Sequence, residues 1–207
     1  MMYESRLDLI LASASPRRRE LLSRLGIKFS VMPSNLEEDG VISCQEQEPK
    51  LYVQTCARAK VEKVVELVSE EKDFWFLGVD TVVVIDELIL GKPRDKKQAK
   101  EFLQRLSGRW HQVISGYHLF HPASRKRLSN IVESRVLIKR LTEPEISAYI
   151  STPEPYDKAG GYAAQGIGAS LIQAIEGSYT NVVGLPLAEV VNDLLRLGII
   201  VPASGRE

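Results

Sequence analysis

The amino-acid sequence predicts an α/β protein whose mixed sheet is flanked by helices. Short β-prone runs alternate with segments of helical periodicity along the 207 residues. Several neighbouring β-prone runs are separated only by short turns, which predicts antiparallel hairpins beside the parallel strands that helical crossovers allow. The hydrophobic content of 44% and charged content of 26% are those of a globular protein. The length allows one sizeable domain, or two lobes that share a cleft.

The first strand and helix are the most clearly marked elements. The apolar run Leu7–Ala12 predicts a strand, and Arg17–Leu25 predicts the helix that follows it after a few small residues. Ser15 is a residue type favoured at the N-cap, and Pro16 suits the first helical position. The sequence from Leu7 to Leu25 therefore predicts a strand, a small loop and the N-terminus of a helix.

Three consecutive arginines occupy the start of this helix. Arg17, Arg18 and Arg19 lie at the positive end of the helix dipole, where each cation loses about 0.3–1 kcal/mol. Backbone N–H groups and guanidinium groups together form a strong phosphate site, so we expect an anion here. The alternative is a solvated basic turn.

The remaining elements continue the alternation. The predicted strands are Phe29–Met32, Phe74–Ile85, Leu88–Leu90, Trp110–His121, Ile131–Ile138 and Leu171–Ile175. The predicted helices are Glu48–Glu71, Asp95–Leu106, a segment opened by the capping box of Thr142 and Glu145, and Leu187–Leu197. No internal repeat or low-complexity linker interrupts the chain.

Charge and cysteine content exclude several classes of protein. Lys+Arg and Asp+Glu both total 27, so a bulk affinity for nucleic acid or for an anionic membrane is not expected. Cys44 and Cys56 are isolated, which fits reduced thiols in a cytoplasmic protein. Asp8 interrupts the first apolar run, and no run approaches membrane-spanning length, so neither a signal peptide nor a membrane span is expected.

Asp80 is the second chemical signal. It lies in the middle of the predicted strand Phe74–Ile85, where most side chains should be buried. A buried carboxylate is costly unless it is paired, bound to a metal or functional. We therefore interpret Asp80 as a functional group; the alternative is that it lies at a strand end and caps a turn.

Two lysines and a glycine-rich segment add further polar groups. Lys92 follows a glycine and precedes a proline, a turn that can aim an ammonium group at a ligand. Lys60 lies on a predicted helix and by itself resembles a surface lysine. Residues 157–166 are rich in glycine and contain Gln165, whose amide can pair with a base edge. Solvated lysines and a flexible connector are the alternatives.

An acidic run could complete a cation site. Glu37, Glu38 and Asp39 could bind a hard cation together with Asp80, or form a solvated loop. A phosphate cradle with lysines and cation ligands favours phosphoryl chemistry. The chain has no G-x-x-x-x-G-K-[ST], no G-x-G-x-x-G and no G-x-S-x-G motif, so it is predicted to be neither a P-loop NTPase, a dinucleotide-binding protein nor an α/β-hydrolase.

At these residues the chain resembles the Maf family of nucleoside triphosphate pyrophosphatases, from Leu9 to about Leu197. The matching segments are LILASASPRRRELL, ARAK, GVDTVVV, LGKPRD, LSGRWHQV, EPYDKAGGYAAQG and GSYTNVVGLPL. The resemblance implies a Maf/ITPase-like fold with a strongly twisted mixed sheet and two lobes around a central cleft, in a single domain over residues 1–207.

The resemblance also implies an activity. Such proteins split a nucleoside triphosphate into the monophosphate and pyrophosphate with Mg²⁺, or with a related ion such as Mn²⁺ or Co²⁺, in the cytoplasm; a homodimer is implied as well. The DKAG…QG segment is similar to the branch that acts on dTTP and UTP. The chain has Gly161 and Ala163-Ala164 where that branch more often has Ala and Gly-Ile.

Site residues are implied position by position. Asp80 matches the proposed proton acceptor, and it is also an expected metal ligand together with Glu38. The positions linked to base selectivity match Arg17, Thr81 and Gln165. The rest of the substrate and metal pocket matches Ser13, Arg18, Glu38, Lys60 and Lys92, with Glu37 as the alternative to Glu38. Because the match does not call for Arg19, the resemblance implies that Arg17 and Arg18 face the ligand and that Arg19 faces solvent.

Two other functions remain open on the sequence. A non-catalytic nucleotide-binding regulator of cell division would keep the arginine cradle but would need neither Asp80 nor a metal. A nucleotidyltransferase would need a second substrate pocket and would retain the nucleotide in its product. Metal-dependent release of pyrophosphate from UTP, and its independence of an acceptor, distinguish these functions from a hydrolase.

Overall fold

A computed structural model describes residues 2–36, 48–68 and 73–203. The strands are β1 (Tyr3–Ser5), β2 (Asp8–Leu11), β3 (Ser30–Val31), β4 (Phe74–Ile85), β5 (Leu88–Leu90), β6 (Trp110–His121), β7 (Lys126–Ile138), β8 (Ile172–Glu176) and β9 (Ile200–Pro202). The helices are α1 (Pro16–Arg24), α2 (Pro49–Val65), α3 (Lys96–Leu106), α4 (Glu143–Tyr149), α5 (Tyr179–Val183) and α6 (Leu187–Arg196). Short 3₁₀ turns cover Glu154–Asp157, Ala159–Gly161 and Ile167–Leu171.

The main sheet is mixed, as the sequence predicts. Its strand order is β3-β2-β4-β6-β7-β8, and β5 adds a seventh strand by pairing with β4. β2 runs parallel to both β3 and β4, whereas β4, β6, β7 and β8 form an antiparallel series. A separate small sheet pairs β1 with β9. Parallel strands thus meet an antiparallel meander at β4, which is the central strand of the fold.

Helices pack on both faces of this sheet. On one face, α1 and α6 enclose one apolar cluster, and α3 and α4 enclose another around the far end of β4. On the opposite face, α2 covers β2, β4 and β6 with smaller clusters. No helix among the described residues is both long and apolar enough to cross a bilayer.

Helix α2 touches the sheet through two glycines. A Cβ atom on Gly78 would overlap the carbonyl oxygen of Ala57, and one on Gly116 would lie 2.8 Å from the carbonyl of Val53. Only glycine permits this approach of helix backbone to strand backbone. The position of α2 against β4 is therefore fixed by main-chain contact.

The predicted boundaries are partly right. The bounds of β4, β5 and β6 agree with prediction, but the helix predicted over Glu48–Glu71 ends at Val65. Strand β7 begins at Lys126 instead of Ile131, because its polar first residues are held by pairing with β6 rather than by apolar alternation. Helix α5 and strands β1 and β9 were not predicted, since each is too short for periodicity to mark.

Candidate active site

A gap in the pairing of β4 creates the site. β2 pairs with Phe74–Leu77, and β5 pairs with Val83–Ile85. Within the described chain, the edge of Gly78–Val82 between them has no neighbouring strand on that side. The chain leaves β2 for α1 at this point, so a cavity opens through the gap. Asp80 and Thr81, which point to opposite faces of the strand, can therefore line one cavity.

The carboxylate of Asp80 is buried and paired. Nζ of Lys60 lies 2.6 Å from Oδ1 of Asp80, and the side chains are only 8% and 6% exposed. Lys60 comes from α2, and Gly116 is the residue of β6 opposite Asp80. The close approach of α2 to the sheet brings the lysine to the carboxylate. The pair thus supplies one buried negative and one buried positive group beside the cavity.

Arg18 binds to protein oxygens on three segments. Its Nη1 donates to the carbonyl of Val79 at 2.8 Å and to Oγ of Ser13 at 3.0 Å. Its Nε donates to the carbonyl of Gly184 at 2.8 Å, and Nη2 donates to Oγ1 of Thr81 at 3.3 Å. The buried guanidinium therefore joins the loop after β2, the open stretch of β4 and the end of α5.

The start of helix α1 confirms the predicted N-cap position, but the capping contact differs. Ser15 occupies the N-cap position of α1 with Pro16 following it, but its side chain makes no capping hydrogen bond. Oγ of Ser13 instead accepts from the N–H of Ser15 at 3.3 Å and from Arg18. The hydrogen bonds of the small loop are therefore made by Ser13, with Arg18 as one donor, and not by the side chain of Ser15.

Thr81 is held from several sides. Oγ1 of Thr81 and Oγ of Ser115 are 2.8 Å apart, and Ser115 is fully buried. Oγ1 of Thr81 also donates to the carbonyl of Gly184 at 3.3 Å. Ser115 was not predicted as a site residue, because a serine inside a strand carries no sequence signal of its own.

The other two arginines have different environments. Nη1 of Arg17 lies 3.2 Å from Oδ2 of Asp157, at the start of the glycine-rich segment. Although partial burial opposes it, hydrogen bonds from Lys158 and Arg17 hold the pKa of Asp157 below its ordinary value. Arg19 is exposed to solvent, as expected. Of the three consecutive arginines, Arg17 and Arg18 line the cavity and Arg19 does not.

The glycine-rich segment is closed by one acidic side chain. The carboxylate of Glu154 accepts from the N–H groups of Ile167 at 3.0 Å and Gly168 at 2.6 Å, and from the hydroxyl of Tyr149 at 2.9 Å. A Cβ atom on Gly166 would overlap this carboxylate. Glu154 lies just before residues 157–166, and its bonds are to the residues just after them. Its carboxylate therefore holds the two ends of the glycine-rich segment together, next to Gln165.

Lys92 and the wall of the cavity are connected to the same segment. The carbonyl of Gly91, next to exposed Lys92, accepts from the N–H of Gly160 at 3.0 Å. Tyr162, which lines the cavity, has its hydroxyl 2.7 Å from Nε2 of His111. Burial lowers the pKa of His111 to about 4, so the imidazole is neutral at pH 7.

The cavity has a volume of about 1480 Å³ and brings the predicted residues together. Its lining includes Ser13, Arg17, Arg18, Lys60, Asp80, Thr81, Lys92 and Gln165. Glu38, with Glu37, Asp39 and Cys44, lies outside the described residues. Asp157 and Gly184 also line the cavity but were not predicted, because their partners, Arg17 and Arg18, are distant in sequence.

The fold and the site define an α/β protein whose central cavity combines cationic side chains with a buried carboxylate. The chain belongs to the Maf family: the family model described as "Maf-like protein" matches residues 8–197.

Named relatives cover nearly the whole chain. It is 50% identical over 192 residues to "dTTP/UTP pyrophosphatase" of Syntrophotalea carbinolica, covering 93% of this chain and 86% of the relative. It is 50% identical over 190 residues to the "dTTP/UTP pyrophosphatase" of Syntrophus aciditrophicus, covering 92% of this chain and 90% of the relative. A solved HAM1 protein from Coxiella burnetii aligns with a TM-score of 0.50 and 14% identity over 92% of this chain and 99% of that chain, a likeness of fold alone.

Proposed function

We propose that this chain hydrolyses UTP and dTTP to the nucleoside monophosphate and pyrophosphate, as a single pyrophosphatase domain over residues 1–207. The buried Asp80–Lys60 pair at the cavity carries this proposal. A buried carboxylate in a cationic cavity can accept a proton from a water molecule next to a bound triphosphate. The names of relatives that are 50% identical support the same reaction.

The cations of the cavity bind the substrate in different ways. Lys60 and Lys92 are placed to neutralise the triphosphate or to orient it, and Arg17, which matches a position linked to base selectivity, is assigned to the base. Arg18 already donates to several protein oxygens, so we assign it to holding Ser13 and Thr81 toward the substrate. Fixed donors of this kind need no rearrangement when charge develops on the phosphoryl oxygens.

The donor set fits a divalent cation held largely by the substrate. Within residues 2–36, 48–68 and 73–203 no group of three or more His, Cys, Asp or Glu side chains is arranged to hold a metal. Mg²⁺ in such sites commonly takes one or two carboxylates together with substrate phosphates. Asp80 can provide one carboxylate, and Glu38 is the predicted second. Bound Mg²⁺, or Mn²⁺ or Co²⁺ in its place, would neutralise charge on the phosphoryl oxygens.

Asp80 is the group that takes the proton of the attacking water. The water oxygen forms a bond to the α-phosphorus while the bond from that phosphorus to the bridging oxygen breaks. Pyrophosphate leaves with the electron pair of the broken bond, and the monophosphate retains the new oxygen. Lys60 donates to Oδ1 of Asp80 at 2.6 Å and so orients the carboxylate for this transfer.

Gln165 is the proposed reader of the base. Its side chain is half-buried at the cavity, and its amide can both donate and accept, as the edge of uracil or thymine requires. Gly161 departs from the pattern of the dTTP/UTP branch, but its φ of 70° is one that glycine adopts without strain. Glycine is therefore unstrained at this position. We expect the other difference, Ala163-Ala164, to affect the activity toward CTP or modified pyrimidines.

The decisive experiment measures nucleoside monophosphate and pyrophosphate from each common and modified triphosphate, with Mg²⁺ or Mn²⁺. We expect equal amounts of both products, fastest with UTP and dTTP, and none after chelation with EDTA. Asp80→Asn should lower kcat by about 10²–10⁴-fold, because the proton acceptor is lost. A matched control is Glu176→Gln, which alters an exposed ion pair with Arg135 remote from the cavity.

Near-normal turnover in Asp80→Asn would overturn the assignment, and a preference for purines would overturn the base preference. Asp80 is also a predicted metal ligand, so Mn²⁺ affinity of Asp80→Asn, measured with bound UTP, separates the two roles. Unchanged affinity leaves Asp80 as the proton acceptor alone. Weakened affinity makes it a ligand.

The setting of this activity is proposed on separate grounds. A formal net charge of zero fits a protein that acts on free nucleotides and does not bind nucleic acid or an anionic membrane. We propose a cytoplasmic enzyme that clears nucleotides or contributes to cell-division arrest, and a homodimer by family resemblance. Light scattering after size-exclusion chromatography tests the homodimer.

A further inference from the structure

We propose that Asp157 is a positioning residue that sets the base preference of the enzyme by acting through Arg17. The inference rests on the proposed function and adds a determinant of specificity to it. The two residues are 140 positions apart in sequence, yet they meet at the cavity and both line it.

The contact holds the arginine in one direction. Nη1 of Arg17 donates to Oδ2 of Asp157 at 3.2 Å, while Lys158 binds the other carboxylate oxygen. Nζ of Lys158 also donates to the carbonyl of Glu154 at 2.8 Å, so the lysine is itself anchored. The carboxylate of Asp157 therefore lies between two cations, and its contact favours one direction of the guanidinium of Arg17.

The same segment carries the proposed base reader. Glu154 accepts from the N–H groups of Ile167 and Gly168, which closes residues 154–168 into one unit that includes Gln165. Asp157 belongs to this unit, whereas Arg17 belongs to α1. The ion pair therefore ties Arg17 to the unit that presents Gln165.

Hydrogen-bond chemistry links this geometry to the base. A guanidinium group only donates, so a fixed Arg17 favours the carbonyl oxygen at C4 of uracil or thymine and disfavours the amino group of cytosine. A site built to pair with one polar group rejects an analogue that leaves its own groups unpaired. Without Asp157 the guanidinium can turn away, and discrimination between the two bases should fall.

The test is a double-mutant cycle on kcat/KM for UTP and CTP. We expect Asp157→Asn and Arg17→Ala each to lower the UTP/CTP ratio by about fivefold or more, as for coupled residues in contact. Asp157→Asn should add no further loss of the ratio in the Arg17→Ala background. Asp157→Glu, which keeps the charge, should retain most of the ratio, and Glu176→Gln should leave it unchanged.

Several outcomes would contradict the inference. It is wrong if Asp157→Asn reduces kcat/KM equally for UTP and CTP, if the two substitutions multiply in the double variant, or if the wild-type chain hydrolyses UTP and CTP equally. A gain in activity on both nucleotides would show that Asp157 competes with substrate for Arg17. Failure of the proposed function is distinct, because the wild-type chain would then release no pyrophosphate from any nucleotide.

Discussion

Two ion pairs line the same cavity, but one lies inside the protein and the other at its surface. Lys60 and Asp80 are 8% and 6% exposed, and they join α2 to the central strand. Arg17 and Asp157 are 28% and 63% exposed, and they join α1 to the glycine-rich segment. The first pair is fixed by backbone packing around it, whereas the second depends on side chains that solvent can reach.

This difference separates two kinds of contribution. A buried pair costs much to break, because removing one partner leaves an uncompensated charge away from water. An exposed pair contributes little to stability, since water and ions replace the lost partner. The buried pair therefore suits chemistry that needs a fixed proton acceptor, and the exposed pair suits contacts that distinguish one substrate from another.

The largest expected effect comes from breaking the buried pair. Lys60→Met should lower the free energy of unfolding by about 3–5 kcal/mol, measured by urea denaturation, because Asp80 is left without its cation. Lys63→Met is a matched control on the same helix, since Lys63 pairs with Glu66 in solvent. The double variant Lys60→Met/Asp80→Asn should recover at least half of the loss, and no recovery would mean that packing rather than charge is responsible.

An intermediate effect is expected from moving α2 away from β4. Gly78→Ala forces a methyl group onto the carbonyl of Ala57 and should cost about 1–3 kcal/mol, with a loss of activity as Lys60 is displaced. A Cβ on Gly91 meets no atom within 4 Å, so Gly91→Ala should leave unfolding unchanged. Equal unfolding midpoints for the two variants would contradict the rigid contact of α2 with the sheet.

The smallest effect is expected from breaking the exposed pair. Asp157→Asn should change the free energy of unfolding by less than about 1 kcal/mol, although we expect it to alter the base preference. The measurement is again urea denaturation, with Glu176→Gln as the reference for an exposed pair. A loss of unfolding free energy comparable to that of Lys60→Met would show that Asp157 supports the fold. The two ion pairs would then not differ in their contribution to stability.

Much of the fold could be predicted from local patterns. The long strands β4 and β6 are continuous β-prone runs, and the turn at Asp86-Glu87 marks the hairpin to β5. The early end of α2 could not be predicted, because apolar spacing continues beyond Val65. The strand conformation of the first residues of β7 could not be predicted either. It depends on their pairing with β6 and not on the composition of those residues.

The site could be predicted at its motifs but not at its supports. Asp80 and the arginines stand out because a charge in a strand and cations at a helix start are locally unfavourable. Ser115, Asp157 and Glu154 do not stand out, since each acts through a partner brought near only by the fold. For the same reason, the sequence could not show that Arg18 turns its guanidinium toward protein oxygens.

The open edge of β4 has a consequence for solubility. An uncovered stretch of strand is a template for pairing with another chain, which leads to aggregation. Here Arg18 donates a hydrogen bond to the carbonyl of Val79. The same stretch carries the charged side chain of Asp80, which pairs with Lys60. Charged side chains and capped backbone groups are devices that proteins use to block edge-to-edge association. The residues of the proposed site therefore also block the unpaired edge of the central strand, although this stretch is itself largely buried.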